Sequence, residues 1–586
     1  MKKTFLLSCL MLAAMPVMAA YTGHVYVDKN KNGVFDQSEK PLAGIKVSDG
    51  LNVVETAADG SFTLPGHERE RFIFITTPSG YKTFNRHYHK IEKKQSGYDF
   101  GLIPYSGRIR KDGSHRYIHI ADTEIFNTEN HADWVNNVRD YARNEQAAFI
   151  IHTGDICYEK GLKAHIKLMN TENMDCPVFY CIGNHDLVKG KYGEELFESI
   201  YGPVYYSFDA GNVHYVVTPM PGGDHAPGYT SDDVCRWLKN DLAHIRPGTP
   251  VVVFNHDLLT YEDTFIFKSK NAGSINLNEY NLKAWVYGHW HINYMKKQGD
   301  VYSVCTSSLD KGGIDHSTTA FRVMHVDSKG DFTSELRYTY LDKNICIASP
   351  AGVMASGVLP VAVNVYSSVS PVREVLYTCL ADGKPVLKNK RLLQSTDWSW
   401  NGELPLSHKY VGKELTLRVT ARFNNGEIAE AESNFICRTE KAVPLFSADW
   451  DNLSGNAKHS APVSAPLNLP LQLAWTNNVG ANLYMTSPLI HKGKVIVASV
   501  DEDLKGAGHV YALNGKDGTI LWSCPVRNSI KNSIAVDSDI VFAQDAQGFL
   551  YAIDTETGKL CWEKQLPVNG LPALIDGLVA GEGVVY

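Results

Sequence analysis

Pro177-Val-Phe-Tyr-Cys-Ile-Gly183-Asn184-His185-Asp186 joins a short apolar run to a glycine and three polar side chains. Such a run reads as a buried strand, and the polar cluster then sits where that strand ends. Four other stretches share the form: Arg116-Tyr-Ile-His-Ile-Ala-Asp122-Thr-Glu124, Ala148-Phe-Ile-Ile-His-Thr-Gly154-Asp155, Pro250-Val-Val-Val-Phe-Asn255-His256-Asp257 and Lys283-Ala-Trp-Val-Tyr-Gly288-His289-Trp290-His291. Strands that end in this way predict an α/β layer whose ligands gather beyond the carboxyl ends of the strands. Asp, Asn and His are hard or borderline donors, suited to manganese, iron or zinc rather than to a thiolate-selecting metal. A hydroxide held between two such ions, roughly 3.5–4 Å apart, attacks phosphorus in line while the ions neutralise charge on the other oxygens. One carboxylate has to bridge the ions. Asp155 is the expected bridge, because Gly154 lets the backbone come close.

The order and identity of these motifs resemble the calcineurin-like metallophosphoesterase family over about residues 115–340. The resemblance implies a four-layer α/β/β/α sandwich, a phosphoester substrate and two divalent transition metals. The first metal would take Asp122, Asp155 and His291, and the second Asp155, Asn184, His256 and His289. His185 would be catalytic, contacting the substrate phosphate and protonating the leaving oxygen, with Asp186 orienting its ring. One position departs from the family, whose Asp-x-His is Asp122-Thr-Glu124 here. As a metal ligand, Glu124 would add negative charge, weaken the ion's Lewis acidity and favour a harder metal. Otherwise the centre is degenerate and binds one metal or none. His119 and His152 lie inside the strand runs and read as buried histidines satisfied by backbone partners, and Trp290 reads as a packing residue.

The flanking regions are β-rich. Residues 20–105 alternate at period two around Val25-Tyr-Val and Ile45-Lys-Val-Ser, which predicts a β-sandwich. Between these runs, Asp28, Asn30, Asn32, Gly33, Val34, Asp36 and Glu39 match the D-x-[DN]-x-[DN]-G-x5-E calcium loop at every position. Asp28, Asn30, Asn32, Asp36 and Glu39 would supply side-chain oxygens and Val34 its carbonyl. The unit resembles the calcium-loop β-sandwich repeats of bacterial surface proteins, and a turn that needs no ion is the alternative.

Residues 106–342 carry the five motifs. Within them, Thr230-Ser-Asp-Asp233 reads as a capping box opening a helix to about Ile245, with Val234, Trp237, Leu238 and Leu242 on one face. The stretch from Leu258 to Leu282 is the expected place for substrate selection. Short alternating strands over residues 345–440 predict an immunoglobulin-like sandwich packed on the enzyme domain. Residues 441–468, rich in Ser, Ala and Pro, read as a linker. Residues 469–586 repeat themselves: Val510-Tyr-Ala-Leu-Asn-Gly-Lys-Asp-Gly518-Thr-Ile-Leu-Trp522 returns as Leu550-Tyr-Ala-Ile-Asp-Thr-Glu-Thr-Gly558-Lys-Leu-Cys-Trp562. The spacing, about 40 residues, suits four-stranded propeller blades. The form resembles quinoprotein-like blades, whose tryptophans dock adjacent blades, with Trp475 closing an earlier one. Two blades and part of another predict an incomplete ring, without a quinone cofactor, appended to the enzyme and not contributing to its active site.

The length of 586 residues fits several domains. A net charge of -7 gives no basic footprint for nucleic acid. Eleven cysteines are too few for a disulfide scaffold, and Cys176 and Cys181 fall on opposite faces of one strand, which predicts that they do not pair. Met1-Lys2-Lys3, an apolar run from Phe5 to Ala14 and a small-residue exit at Val17-Met-Ala-Ala20 read as a signal peptide over residues 1–19. That predicts export to the periplasm or outside the cell. No later run approaches the roughly 18 apolar residues of a membrane span. The sequence therefore reads as an exported metal-dependent phosphoesterase acting on a monoester or diester. The competing reading is a degenerate phosphoesterase scaffold whose β modules bind a glycan, a surface or a protein, and His185 argues against it because a pure binder has no use for a proton donor.

Overall fold

The computed structural model describes residues 21–441, 443, 448–460, 473–484, 486–567, 572 and 577–586. The expected signal peptide, residues 1–19, lies outside the described residues, as do parts of the expected linker 441–468.

The strand runs before the motifs form two sheets. One has the order Val178–Tyr180, Phe149–His152, His115–Ile120, Ala320–Val326, Phe332–Tyr338; the other has Tyr206–Ala210, Val213–Val217, Val251–Phe254, Leu282–Tyr287, Val301–Cys305, Tyr294–Gln298. In the first sheet Ile120 pairs with His152 and His152 with Tyr180, all parallel. In the second, Phe254 lies beside Val286, again parallel. Strands in this register end at one edge, so the residues after each run are brought together there.

The sheets pack face to face through aromatic rings. Phe149 meets Phe208 edge-on at 4.9 Å between centroids, and Tyr117 meets Tyr215 edge-on at 5.6 Å. Helices cover the outer faces. Helix α1 (Ala132–Asn144) places Trp134, Val138 and Tyr141 against Ile118, Ile150 and Phe321. Helices α2 (Tyr158–Leu168) and α3 (Glu195–Tyr201) come after the second and third motifs. Helix α4 (Ser231–Ala243) opens with the expected box: Thr230 Oγ1 accepts from the Asp233 N–H at 3.3 Å, and the Thr230 N–H donates to Asp233 Oδ2 at 2.9 Å. Its Trp237, Leu238 and Leu242 bury against the second sheet. The α/β/β/α layering is as expected.

The N-terminal region is two small sheets around Val25, Val47, Phe62, Ile73 and Phe100. It is not free of the central layers, since Phe72, Phe74 and Tyr88 join their core and Arg71 pairs with Glu194 at 2.7 Å. Residues 344–438 form the two facing sheets of a sandwich with a core of Val363, Val365, Trp400, Leu417 and Phe423. It rests on the central layers through Asn144 Nδ2, which donates to the Val369 carbonyl at 2.9 Å.

Two four-stranded antiparallel sheets complete the chain, Leu489–Pro525 and Ala535–Gln565 in outline. The repeated tryptophans dock on the next turn: Trp475 Nε1 donates to Gly515 O at 2.8 Å and Trp522 Nε1 to Thr555 O at 2.9 Å. Two expectations need correction. Within 441–468, Trp450 exchanges backbone hydrogen bonds with Ile490, and Asn452 Nδ2 donates to Ala580 O at 3.1 Å, so the described residues 448–460 pack on the blades. Nor are the blades an appendage. Ala546 and Leu504 pack into the central core, Asn528 Nδ2 donates to Met295 O at 3.0 Å, and buried Arg322 pairs with Asp503 at 2.5 Å. No period in the sequence encodes such contacts between regions.

Among the described residues no helix is long and apolar enough to cross a membrane. Cys176 and Cys181 are both buried free thiols.

Candidate metal centre

At the shared strand edge the chain turns sharply. Asp122, Asp155, His289 and His291 all have positive φ, 51°, 55°, 65° and 52°. Non-glycine residues pay a steric cost there, and such strain clusters at functional sites. The turns aim the four side chains inward. Gly154, at φ 99°, precedes Asp155 because a Cβ there would stand 2.7 Å from His256 Nδ1.

Two groups of donor atoms result, each within 4.8 Å of one another: Asp155, His256 and His289, and Asp122, Asp155 and His291. Asp155 belongs to both, which is the geometry expected of a bridging carboxylate. Backbone N–H groups hold the acids, with His185 N donating to Asp155 Oδ1 at 3.0 Å and His289 N to Asp122 Oδ2 at 3.1 Å.

The donor set calls for a cation. His256 Nδ1 lies 2.7 Å from the Thr153 carbonyl, which assigns it the ring proton and leaves Nε2 as an acceptor. That Nε2 faces Asp155 Oδ2 at 3.1 Å, acceptor against acceptor, and has no hydrogen-bond donor. Buried Asn184 Oδ1 has no hydrogen-bond partner either. Two lone pairs at that distance repel unless a positive charge lies between them, whether a proton or a metal ion. The titration of the pair reports the same field. Burial opposes charge on His256, yet Asp155 and Asp122 raise it to about 10. Burial pushes the Asp155 carboxyl up, and a protonated, charged His256 outweighs it, bringing it to about 2. Asp122, held more by burial than by partners, stays well above the usual carboxylate range.

Glu124 is in neither group. Its Oε2 accepts from Lys311 Nζ at 2.8 Å, while Oε1 stands 3.6 Å from His291 Nε2. The extra acid is thus paired at the rim of the centre by a lysine that the sequence did not single out. His185 stands at the mouth, with Tyr158 5.4 Å away between ring centroids. Its Nδ1 is 2.9 Å from Asp224 Oδ2. Burial lowers its pKa, but the Asp224 hydrogen bond and the Asp155 charge raise it on balance. Asp186 does not orient this ring, contrary to expectation. Its Oδ1 accepts from Cys157 N at 2.8 Å and its Oδ2 from Gly183 N at 2.9 Å, so it braces the loop that carries Asn184 and His185. Asp224 was missed because no fixed spacing ties it to a motif. The one signal was Gly222-Gly223 before it, and a Cβ on Gly223 would meet Asn184 O at 2.3 Å.

His119 and His152 are buried core histidines as expected, but their partners are mostly threonine hydroxyls rather than backbone groups. His119 contacts Thr153 and Thr306 hydroxyls, and His152 the Thr123 hydroxyl. Trp290 donates Nε1 to Asp257 Oδ1 at 3.0 Å and packs on the core. The stretch Leu258–Leu282 holds a small hairpin, with Tyr261 stacked on Trp290.

In the N-terminal loop, Asp28 accepts from Asn32 N at 3.2 Å and Gly33 N at 2.9 Å. Glu39 accepts from Lys29 N at 2.9 Å and Asp36 N at 3.2 Å, and Asn30 Nδ2 donates to Asp36 at 2.6 Å. The expected calcium ligands Asp28, Asn30, Asn32, Asp36 and Glu39 are tied within one loop, with loop N–H groups on the oxygens of Asp28 and Glu39. Val34 is exposed at the tip.

Residues 115–293 match the family model for the calcineurin-like phosphoesterase, and residues 29–104 match that for the N terminal of calcineurin-like phosphoesterase. Residues 115–293 are a calcineurin-like phosphoesterase domain. The blade region, residues 472–582, matches the model described as outer membrane protein assembly factor BamB. Over 215 residues the chain is 26% identical to purple acid phosphatase 13 of Arabidopsis thaliana, covering 34% of this chain and 36% of that protein. The chain thus spans little more than a third of that relative's length. Among solved structures, a conserved uncharacterised protein of Streptococcus pneumoniae, described as a predicted phosphoesterase, is 10% identical, covering 39% of this chain and 98% of that one with a TM-score of 0.19. BamB from Moraxella catarrhalis is 11% identical, covering 46% and 74%, with a TM-score of 0.14.

Proposed function

We propose that this phosphoesterase is an exported hydrolase of phosphomonoesters or phosphodiesters that works with two divalent transition metals, manganese, iron or zinc. The observation that carries the reading is the pair of donor groups sharing Asp155, with His185 beside them. Asp122, Asp155 and His291 would hold one ion, and Asp155, Asn184, His256 and His289 the other. Bound there, the ions would supply an activated water and charge neutralisation at phosphorus. The chain's own groups do the rest. Asp155 aligns the two sites, and its hydrogen bond from His185 N ties them to the acid. His185 donates a proton to the leaving oxygen, and Asp224 holds its ring and supports its protonated form. This pairing weighs against a pure binding scaffold, which would have no use for an oriented acid. Export is supported by the N-terminal run Phe5 to Ala14 and its small-residue exit. Calcium is the proposed ligand of Asp28, Asn30, Asn32, Val34, Asp36 and Glu39, on the full motif match.

The test is metal analysis of the purified protein with a mixed phosphoester panel. Asp155→Ala should abolish metal loading, because both sites lose a ligand. His185→Gln should keep the metal and lower turnover by about 10²–10⁴-fold. Unchanged turnover of metal-loaded His185→Gln protein would refute the assigned role.

A further inference from the structure

The blade segment reaches the metal centre from behind, through one lysine. Lys531 lies between the two four-stranded blade sheets and is almost wholly buried. Its ammonium group meets three acceptors: Asp315 Oδ2 at 2.6 Å, Glu502 Oε1 at 2.8 Å and the Asn293 carbonyl. Glu502 belongs to the blades, whereas Asp315 and Asn293 belong to the phosphoesterase domain. All three ammonium protons are thereby used. A buried ion group of this kind adds little stability over well-packed apolar residues, so its worth lies in fixing one arrangement.

That arrangement includes the backbone of His291. Asn293 is two residues beyond that histidine. Asp315 comes directly after Ile314, whose N–H donates to the His291 carbonyl at 2.8 Å. Asn293 in turn accepts Ser307 N on its side-chain oxygen at 3.1 Å. Lys531 therefore ties together the two segments that frame His291. His291 sits at φ 52°, a strained conformation that persists only when its surroundings over-determine it.

We propose that Lys531 is a positioning residue for the metal centre: seating the blade segment holds Asn293 and Asp315 together and so sets His291 for its ion. This rests on His291 being a metal ligand, as in the function proposed above.

The experiment measures manganese and zinc stoichiometry and affinity by equilibrium dialysis and elemental analysis, with melting in chelator as the record of folding, on the full chain. The triple variant Lys531→Met, Asp315→Asn, Glu502→Gln removes the charges without leaving one unpaired. It should bind one ion as the parent does and the other at least tenfold more weakly. Asp315→Asn alone keeps Lys531 paired with Glu502 and should show the same one-site loss in smaller measure, which carries the test if the triple variant melts too low to assay. Asp503→Asn removes the other buried ion pair across this interface, with Arg322, and serves as the reference for weakened docking; it should keep both affinities. If Asp315→Asn and the triple variant keep both affinities, or if Asp503→Asn loses affinity in the same proportion to its melting point, the positioning role is overturned. A parent chain that binds no metal would instead overturn the proposed function, and this inference with it.

Discussion

Glu124 sits at the rim of the centre, where its Oε2 accepts from Lys311 Nζ at 2.8 Å. The proposed ligands Asp122, Asp155, Asn184, His256, His289 and His291 stand out because each comes just after a strand run, and strands in parallel register deliver the residues at their carboxyl ends to one edge. Glu124 was visible as a departure, but its partner was not: Lys311 lies 187 positions away and reaches Glu124 only through the fold. Asp186 was misread because it neighbours His185 in sequence, whereas its carboxylate turns back onto the Gly183 and Cys157 N–H groups. Lys311 engages one oxygen of Glu124 while the other stays 3.6 Å from His291 Nε2, and the Asp122, Asp155 and His291 group has His291 as its one neutral donor. Replacing Glu124 by His should therefore add a ligand without adding charge. The ion of that group should bind more tightly, and preference should move from manganese toward zinc or iron. Elemental analysis and pH-rate profiles of the two proteins check this. Identical metal content, preference and pH profile would mean that position 124 has no ligand role.

Elements were legible where local chemistry decides them. The box Thr230 to Asp233 announced α4, whose end at Ala243 falls just short of the expected Ile245, and the alternation of the strands announced the sandwiches. The loop Asp28 to Glu39 was legible as a turn, yet its N–H groups already occupy its acceptors, so the motif alone does not decide whether an ion is held. With calcium bound, the thermal midpoint of a fragment of residues 20–105 should rise, since a ligand that prefers the folded state shifts the equilibrium. Asp28→Ala should erase the gain, and equal melting in calcium and in chelator would make the loop an ordinary turn. A second element carries a pH signature. On the hairpin Ala320–Val326 and Phe332–Tyr338, Glu335 accepts from Arg337 at 2.8 Å and His325 at 3.0 Å. Burial pushes its carboxyl up, but Arg337 and His325 bring it from 4.5 to about 2. A carboxyl lowered on folding contributes stability above its unfolded pKa, and that share is lost as pH falls from about 4.5 toward 2. Glu335→Gln should lower the melting point at neutral pH and flatten the acid slope in that window. A variant that loses stability in acid as steeply as the parent would show that Glu335 does not carry the slope.

At the scale of the whole molecule, the repeat around Trp522 and Trp562 disclosed the blades, because identical packing problems recur at a fixed spacing. Their docking was not legible, since Arg322 with Asp503, Lys531 with Asp315, and Ala546 in the central core are contacts between unlike regions that leave no periodic trace. The docking decides what truncation does. An incomplete array hanging free would burden solubility, and its removal would help. A docked array is part of the core instead. Deleting residues 469–586 removes Asp503 and Lys531, which leaves the buried Arg322 guanidinium and the Asp315 carboxylate without their ionic partners. Breaking a buried pair by removing one partner costs about 3–5 kcal/mol. It also uncovers Tyr294 and Met295, now buried, on the strand that the blades cover at Met295. The truncated protein should therefore melt well below the parent in chelator, aggregate more readily and load less metal, measured by calorimetry, light scattering and elemental analysis. Arg322→Met introduced into the truncated chain should recover part of the lost stability, because it removes the orphaned charge at little change of volume. A truncated chain as stable and soluble as the parent would show that the blades rest on the phosphoesterase domain without contributing to its fold.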